Sequence, residues 1–235
     1  MTKLVHATVC ALTAKFTRPL NTSGPSLCLP VPPYSTLLGF TGNCIGRDVY
    51  PNEVRIGFDY SYGDGADFTS LDMETTHRFA FKNNKLKPHS DGNTIRMHEF
   101  HTYPVLELYL NNLDFADYLD RPRGIPTLGR SQDIAWIKKV EIVDAHEVTS
   151  GVVGNTLIPL EKSEDQKNVS GRLIRLPEFF DNSNLGMTRV PMNSRLFVIT
   201  RPYTVVENPN LYSIESTNGE KRVIYLHEWS SPFNT

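Results

Sequence analysis

Hydrophobic and polar residues alternate along several stretches of the chain, which is the pattern of half-buried β-strands. The first stretch, residues 4–16, has small and branched apolar residues at every second position and predicts a central strand. A second stretch, residues 54–62, alternates aromatic and aliphatic residues with polar ones. Its aromatic face suits core packing, although such a face can also stack nucleobases. The alternation predicts a chain rich in β-structure.

A different period appears in residues 29–47, which read LPVPPYSTLLGFTGNCIGR. Ser35 follows three prolines and is predicted to cap a helix, because its hydroxyl can accept from amides of the first turn. Leu37, Phe40 and Cys44 then share one helix face, and three glycines share the opposite face. Each glycine inside a helix costs about 1 kcal/mol relative to alanine. The stripe indicates either an anion-binding helix start or close packing against a neighbouring backbone, and spacing alone favours packing.

Residues 71–101 contain two strand-like stretches around a polar, basic segment, and this order predicts a long hairpin. Its tip carries Lys82, Lys85 and Lys87 and has few apolar residues, so we expect the hairpin to project from the core. A projecting basic hairpin suits a binding role, and a solvated, disordered loop is the alternative.

Two further patterns are predicted nearer the carboxyl end. Residues 196–206 read as a strand that Pro202 confines to an edge or a bulge. Asn218 and Gly219 form the strongest hairpin-turn signal in the chain.

Charge is distributed unevenly along the 235 residues, although the net charge is only −2. Residues 1–47 and 182–206 contain no acidic residue. The bases within these two segments are Lys3, Lys15, Arg18, Arg47, Arg189, Arg195 and Arg201. The pattern predicts a basic face that holds a polyanion and an acidic face that meets a protein, with chance clustering as the alternative.

The composition limits the other classes of function. The three cysteines have no metal-ligand spacing and leave one unpaired, which favours a cytoplasmic protein with reduced thiols. The apolar residues 4–14 are too few to span a bilayer, so no signal peptide and no membrane association are predicted. We also expect no metal ion and no cofactor.

Catalysis leaves no local signature in the sequence. Metal-independent RNA cleavage needs only a general base, a general acid and a charge stabiliser. His98, His101 and Tyr103, with Lys82 or Lys85 nearby, could supply these groups. The two histidines are three positions apart, which points them to opposite faces of a strand. A non-catalytic protein is the preferred interpretation.

Three motifs resemble a known family. F-x-R-P occurs at residues 16–19, P-x-P-P-x-S-T-L-x-G at residues 30–39, and LGRS at residues 128–131. In this order they resemble the CRISPR-associated protein 5 family of the RAMP superfamily, a subunit of type I interference (Cascade) complexes. The proline run is most similar to that of type I-B or I-A members.

The resemblance implies an α+β fold with a ferredoxin-like (RRM-like) core and additional C-terminal β-structure. Residues 1–235 would form a single RAMP-type domain, with residues 71–101 as a projecting β-hairpin thumb. The implied role is non-catalytic: the subunit caps the 5′ handle of the guide RNA in antiviral defence. The implied partners are the guide RNA (crRNA), the Cascade backbone subunit, the Cascade large subunit and target DNA near the guide 5′ end.

The residues expected to bind RNA combine the motif positions with polar and basic positions of the loops. They are Arg18, Asn21, Thr22, Ser35, Thr36, Arg47, Lys82, Lys85, Lys87, Arg130, Ser131 and Arg189. The alternative is an endoribonuclease that processes precursor guide RNA, as the type I-C branch of the family does. A purely protein-binding β-scaffold is a third possibility.

Overall fold

The computed structural model describes residues 1–19, 24–63, 69–89, 92–160, 169–182, 189–215 and 221–230, and these residues are predominantly β. They form fourteen strands and two α-helices, with short 3-10 helices at Pro51–Glu53 and Leu113–Phe115. In chain order the elements are β1 (Thr2–Ala11), β2 (Thr13–Ala14), α1 (Tyr34–Ile45), β3 (Ile56–Ser61), β4 (Thr69–Thr76), β5 (Phe79–Lys82), β6 (Lys85–Pro88), β7 (Thr94–Thr102), β8 (Val105–Leu110), α2 (Ala116–Asp120), β9 (Ala135–Val153), β10 (Leu157–Pro159), β11 (Gly171–Asp181), β12 (Val190–Thr200), β13 (Thr204–Glu215) and β14 (Lys221–Tyr225).

The largest sheet contains six strands in the order β14-β13-β9-β1-β8-β3, and each neighbouring pair is antiparallel. Strand β1 lies between β8 and β9, which confirms the predicted central strand. The predicted strand over residues 4–16 is interrupted at Leu12, however, and β2 continues beyond it. Strand β2 pairs with β7 instead of with the neighbours of β1.

The two faces of this sheet differ in chemistry. Val5 and Ala7 are fully buried in the cluster that also contains the apolar face of α1. On the opposite face, the His6 ring lies between two carboxylates of the neighbouring strands. Its Nδ1 is 3.0 Å from Glu141 Oε1, and its Nε2 is 2.8 Å from Glu107 Oε2. Polar side chains therefore join three adjacent strands on this face.

The two edge strands of the large sheet contact each other. Leu226, which follows β14, bridges Gly57 in β3, and the His227 N–H donates to the carbonyl oxygen of Ile56 at 2.8 Å. A Cβ at Gly57 would lie 2.8 Å from the carbonyl oxygen of Tyr225, so only glycine fits this approach. The contact joins both edges of the sheet and fixes the segment after β14.

Helix α1 begins two residues earlier than predicted. Pro33 is the N-cap, and its carbonyl oxygen accepts from the N–H groups of Thr36 and Leu37. The Ser35 capping prediction is therefore wrong, because Ser35 lies inside the first turn. The physical reason is Tyr34, whose ring is buried and whose hydroxyl donates to the carbonyl oxygen of Leu157 at 2.7 Å. Core packing of this side chain, and not a polar cap, sets the start of the helix.

The glycine stripe of α1 has no single cause. Gly46 ends the helix in the left-handed region, with φ of 81°. A Cβ at Gly42 would lie 2.8 Å from the carbonyl oxygen of Arg47, so close packing explains this position. A Cβ at Gly39 would meet no atom within 4 Å, and this residue is exposed. Close packing within the chain therefore explains Gly42 but not Gly39, for which packing on a neighbouring subunit stays a prediction.

Strands β4 to β7 form the hairpin expected over residues 71–101. Strand β4 pairs with β7 from Thr69 opposite His101 to Thr76 opposite Thr94, and β5 pairs with β6 beyond them. Asn83 and its neighbour both have positive φ, as tight two-residue hairpin turns require. Most side chains of the hairpin are exposed.

The remaining described strands form a sheet of order β10-β12-β11. The single strand predicted over residues 196–206 is wrong, because β12 ends at Thr200 and β13 begins at Thr204. Pro202 lies in the turn between them, where its missing N–H deprives no ladder of a donor. Strands β13 and β14 pair as a hairpin, and the predicted Asn218–Gly219 turn lies outside the described residues.

Candidate nucleic-acid interface

A buried lysine lies where β2 leaves the base of the hairpin. Lys15 is only 3% exposed. Its Nζ donates to the carbonyl oxygen of Ser26 at 2.9 Å and to Nδ1 of His98 at 3.1 Å. Burial lowers the pKa of Lys15, and the nearby guanidinium of Arg130 lowers it further. The ammonium connects the segment before α1 to strand β7.

The His98 ring continues this contact towards the surface. An ammonium offers only protons, so Nδ1 of His98 accepts from Lys15 and the ring proton of the neutral imidazole lies on Nε2. Nε2 is 2.8 Å from Oε2 of Glu74 on the neighbouring strand β4. Lys15, His98 and Glu74 therefore form a chain of polar contacts that leads from a buried cation to an exposed carboxylate.

Arg130 lies beside this chain and is held rigidly. Its Nε and Nη2 each lie 2.9 Å from a carboxylate oxygen of Asp133, which is completely buried and also accepts from the Thr13 hydroxyl at 2.7 Å. The pairing with Asp133 raises the pKa of Arg130. The third nitrogen of the guanidinium, Nη1, lies 3.9 Å from Oδ2 of Asp72. One edge of the guanidinium is fixed, and the other is near the surface.

The glycine of the LGRS motif permits this arrangement. Gly129 has φ of 105°, and a Cβ there would overlap the carbonyl oxygen of Lys15. The Lys15 N–H donates to the carbonyl oxygen of Leu128, whose side chain is fully buried. The motif thus packs directly on the backbone of Lys15, and this contact brings Arg130 to the base of the hairpin.

The segment around Ser26 runs beside β7 and completes the surroundings of Lys15. The Ser26 N–H donates to the carbonyl oxygen of Met97 at 2.7 Å, and the Glu99 N–H donates to the carbonyl oxygen of Ser26 at 3.0 Å. The Glu99 carboxylate accepts from the Cys28 N–H at 2.7 Å. These contacts fix the carbonyl oxygen that receives the Lys15 ammonium.

Arg18 lies next to this segment. Its N–H donates to the carbonyl oxygen of Leu27 at 3.1 Å, and its side chain is half-buried. Asn21 and Thr22, which were also expected to bind RNA, lie outside the described residues.

The predicted RNA-binding residues that the structure describes divide among several surfaces. The hairpin base carries Arg18, Arg130 and Ser131, and the hairpin tip carries Lys82, Lys85 and Lys87. The α1 groove is lined by Ser35, Arg47 and Arg189. Ser131 and the three tip lysines are exposed. Thr36 lies in the first turn of α1 and is half-buried.

The α1 groove is a cavity of about 550 Å³ between α1 and residues of β11. Gly39 lines it, as do Phe180 and Arg189. Arg47 also lines it, but its guanidinium is held by Glu53 with contacts of 3.0 and 2.6 Å. The groove therefore offers an exposed helix backbone, an aromatic side chain and the exposed Arg189.

The three residues of the catalytic alternative have different surroundings. His101 is completely buried: Tyr62 stacks on it with ring centroids 3.7 Å apart, and Nδ1 is 2.8 Å from the Tyr60 hydroxyl. Burial lowers the pKa of His101 to about 4. His98 contacts Lys15 instead, and Tyr103 is exposed in a turn with positive φ.

The sequence interpretation missed four residues of the hairpin base. They are Lys15, Asp72, Glu74 and Asp133. Two of them carried a signal: Lys15 lies in the acid-free segment 1–47, and Asp133 follows Arg130 by three positions, a spacing at which a turn can bring opposite charges together. The others meet their partners through long-range strand pairing.

The described residues include no group of three or more His, Cys, Asp or Glu side chains placed to bind a metal ion. Within the same residues, no helix has both the length and the hydropathy that crossing a bilayer requires.

No protein-family model matches the chain, and no curated protein matches it in sequence. Solved structures match it in fold. A CRISPR protein from Archaeoglobus fulgidus aligns with a TM-score of 0.50 at 14% identity, over 96% of this chain and 100% of that chain. A chain of the type III-B Cmr-beta complex, bound to cognate target RNA and AMPPnP, aligns with a TM-score of 0.50 at 13% identity, over 88% of this chain and 86% of that chain. The chain therefore shares the fold of CRISPR proteins.

Proposed function

We propose that this chain is an RNA-binding subunit of a CRISPR ribonucleoprotein complex. The observation that carries the proposal is the hairpin base, where Lys15, His98 and Arg130 gather on a fold shared with CRISPR proteins. One neighbour in fold belongs to a complex bound to target RNA. Arg130 resembles a phosphate-binding arm, because a fixed guanidinium loses little freedom when it binds.

We further infer that the chain acts as a CRISPR-associated protein 5 subunit of a type I Cascade complex. Strand order supports a ferredoxin-like core. The units β1–α1–β3 and β8–α2–β9 each run strand, helix, strand, and their strands lie in the antiparallel order β9-β1-β8-β3. In this role the subunit caps the 5′ handle of the guide RNA, near the large subunit and the target DNA. The free cysteines fit a cytoplasmic location.

The hairpin tip suits the role of a thumb between RNA and protein. Strand register puts Lys82, Lys85 and Lys87 on one face of the tip, and it puts Phe79, Phe81 and Leu86 on the other. All six side chains are exposed. The basic face fits guide-RNA phosphates, and the apolar face fits the backbone subunit of the complex.

Fluorescence anisotropy with labelled oligouridine tests RNA binding. Arg18→Ala and the triple change Lys82→Ala, Lys85→Ala, Lys87→Ala should each weaken binding and flatten its salt dependence, because fewer counterions are released. Arg121→Ala is the matched control, since Arg121 is exposed and lies outside the three surfaces. Affinity and salt slope equal to those of the control would count against these residues.

The RNA that co-purifies with the chain from its own cells tests the handle-capping role. Sequencing should recover guide RNAs whose 5′ ends derive from the CRISPR repeat. Recovery of no RNA, while partner proteins are retained, would favour a protein-binding scaffold instead.

The contact between Lys15 and His98 supports a second candidate, a metal-independent endoribonuclease. His98, whose Nε2 bears the ring proton, can act as general acid while the neighbouring cation stabilises developing charge. Incubation with repeat RNA in EDTA separates the two candidates. Specific cleavage that disappears in His98→Ala, but persists in His101→Gln, would establish the nuclease; intact RNA would leave the binding subunit.

A further inference from the structure

Two carboxylates lie on the accessible side of the hairpin base. In the pairing of β4 with β7, Asp72 is opposite His98 and Glu74 is opposite Arg96, so these side chains share one face of the hairpin. Oδ2 of Asp72 is 3.9 Å from Nη1 of Arg130, and Oε2 of Glu74 is 2.8 Å from Nε2 of His98. Each acid therefore faces a group that the proposed function assigns to RNA.

The fold does not depend on these two acids. The side chain of Asp72 is 49% exposed and that of Glu74 is 65% exposed. Arg130 is already held by the completely buried Asp133, whose carboxylate binds two of its nitrogens. Exposed ion pairs contribute little to stability. Asp72 and Glu74 thus add negative charge at the entrance of a cationic site without anchoring it.

We propose that Asp72 and Glu74 hold, in the free protein, the positions around Arg130 and His98 that RNA phosphates take on binding. This inference rests on the proposed RNA-binding function and deepens it. A carboxylate and a phosphate offer the same kind of acceptor oxygen to a guanidinium or an imidazole N–H. RNA must displace the carboxylates, so the two acids lower the affinity for any RNA that makes no further contacts. Such a repulsive element raises selectivity for RNAs that do make them.

Binding of labelled oligouridine to Asp72→Asn and Glu74→Gln tests this proposal. Each change removes one charge that competes with a phosphate a few ångströms away, and we expect about fivefold tighter binding at low salt. The gain should shrink as salt screens the charges. Asp144→Asn is the matched control, because Asp144 is an exposed acid on β9 and its change alters the net charge equally.

The possible results separate this inference from the proposed function. Tighter binding in both variants, with the affinity of Asp144→Asn and all melting temperatures unchanged, supports the inference. If the wild type binds RNA but neither Asp72→Asn nor Glu74→Gln binds it more tightly than the control does, the inference is overturned. The proposed function then still stands. Failure of the wild-type chain and every variant to bind RNA overturns both.

Discussion

Two clusters in this protein use the same chemistry in different surroundings. At the hairpin base, His98 faces Glu74, with Arg130 nearby. In the interior, His227 faces Glu178 with Nε2 3.0 Å from Oε1, and Arg195 Nη1 lies 2.9 Å from the same oxygen. Glu178 is completely buried, whereas the side chain of Glu74 is 65% exposed.

Burial decides what each cluster can do. The His227 ring stacks on Tyr34 at the start of α1, with centroids 4.0 Å apart, and Glu178 also accepts from the N–H of Ser230. The interior cluster therefore holds the segment after β14 against α1 and β11, and RNA cannot reach its buried Glu178 and His227. At the hairpin base the carboxylate is exposed, and we propose that it exchanges there for another anion, so that the same pairing serves as a binding site.

The largest effect is expected from breaking the interior cluster. Glu178→Gln leaves the buried His227 and the partly buried Arg195 without their carboxylate, and loss of one partner from a buried pair costs about 3–5 kcal/mol. Urea denaturation at neutral pH measures the change in the free energy of unfolding.

Glu74→Gln is the matched substitution at the hairpin base. It should change the free energy of unfolding by less than about 1 kcal/mol, because exposed ion pairs contribute little. Equal losses in the two variants would contradict the division into a structural and an exchangeable cluster.

The free energy of unfolding should fall in acid because of the buried histidines. Burial lowers the pKa of His101 to about 4 in the folded state, whereas an unfolded histidine titrates near pH 6.5. The unfolded chain therefore binds the proton first, and the stability present above pH 6.5 is lost as pH falls towards 4. Between pH 7 and pH 5 this one group removes about 2 kcal/mol.

His101→Gln tests this acid dependence, because an amide can still contact the Tyr60 hydroxyl but does not titrate. Urea denaturation at pH 7 and pH 5 should show a smaller loss for the variant than for the wild type. The interior cluster retains its own acid sensitivity in both proteins: burial lowers the pKa of His227, while hydrogen bonds to Glu178 outweigh its burial and lower the pKa of the carboxyl. An identical loss in both proteins would show that His101 does not control it.

Local periodicity predicted some of the elements around the two clusters, but not β11, which carries Glu178. The apolar face of α1, with Leu37 and Phe40, is buried as the spacing of three and four residues indicated. The central strand and the long hairpin followed from alternation in the same way. These features depend on neighbours in sequence, so a pattern of burial within one element is enough to recognise them.

The partners within the clusters could not be predicted in this way. Lys15 and His98 are separated by 83 residues. Arg130 packs beside Lys15, which follows β2, and it lies near Asp72 of β4 because β2 and β4 both flank β7. The expected capping role of Ser35 failed for the same reason, since a distant core contact of Tyr34 sets the helix start. Charge counts along the chain show where cations occur, but not which of them are already paired.

A moderate effect is expected at Lys15, which is buried like the interior cluster but lies at the hairpin base. Lys15→Met keeps the apolar stem but leaves the Ser26 carbonyl oxygen without its ammonium donor, at a cost of about 1–2 kcal/mol. It should also weaken binding of oligouridine. Lys82→Met at the exposed hairpin tip is the control, which should alter RNA binding without changing the free energy of unfolding. Loss of neither property in Lys15→Met would remove Lys15 from the site.

The smallest effect is expected at two glycines of α1, one of which is exposed and the other closely packed. Gly39→Ala adds a methyl group where no atom lies within 4 Å, so it should stabilise the protein by about 0.5–1 kcal/mol through helix propensity alone. Gly42→Ala places the same methyl group 2.8 Å from the carbonyl oxygen of Arg47 and should destabilise the protein instead. Melting temperatures of the purified variants measure both signs. If a partner of the complex packs on the α1 groove, Gly39→Ala should impair assembly although the isolated chain is more stable, and normal assembly would argue against such a contact.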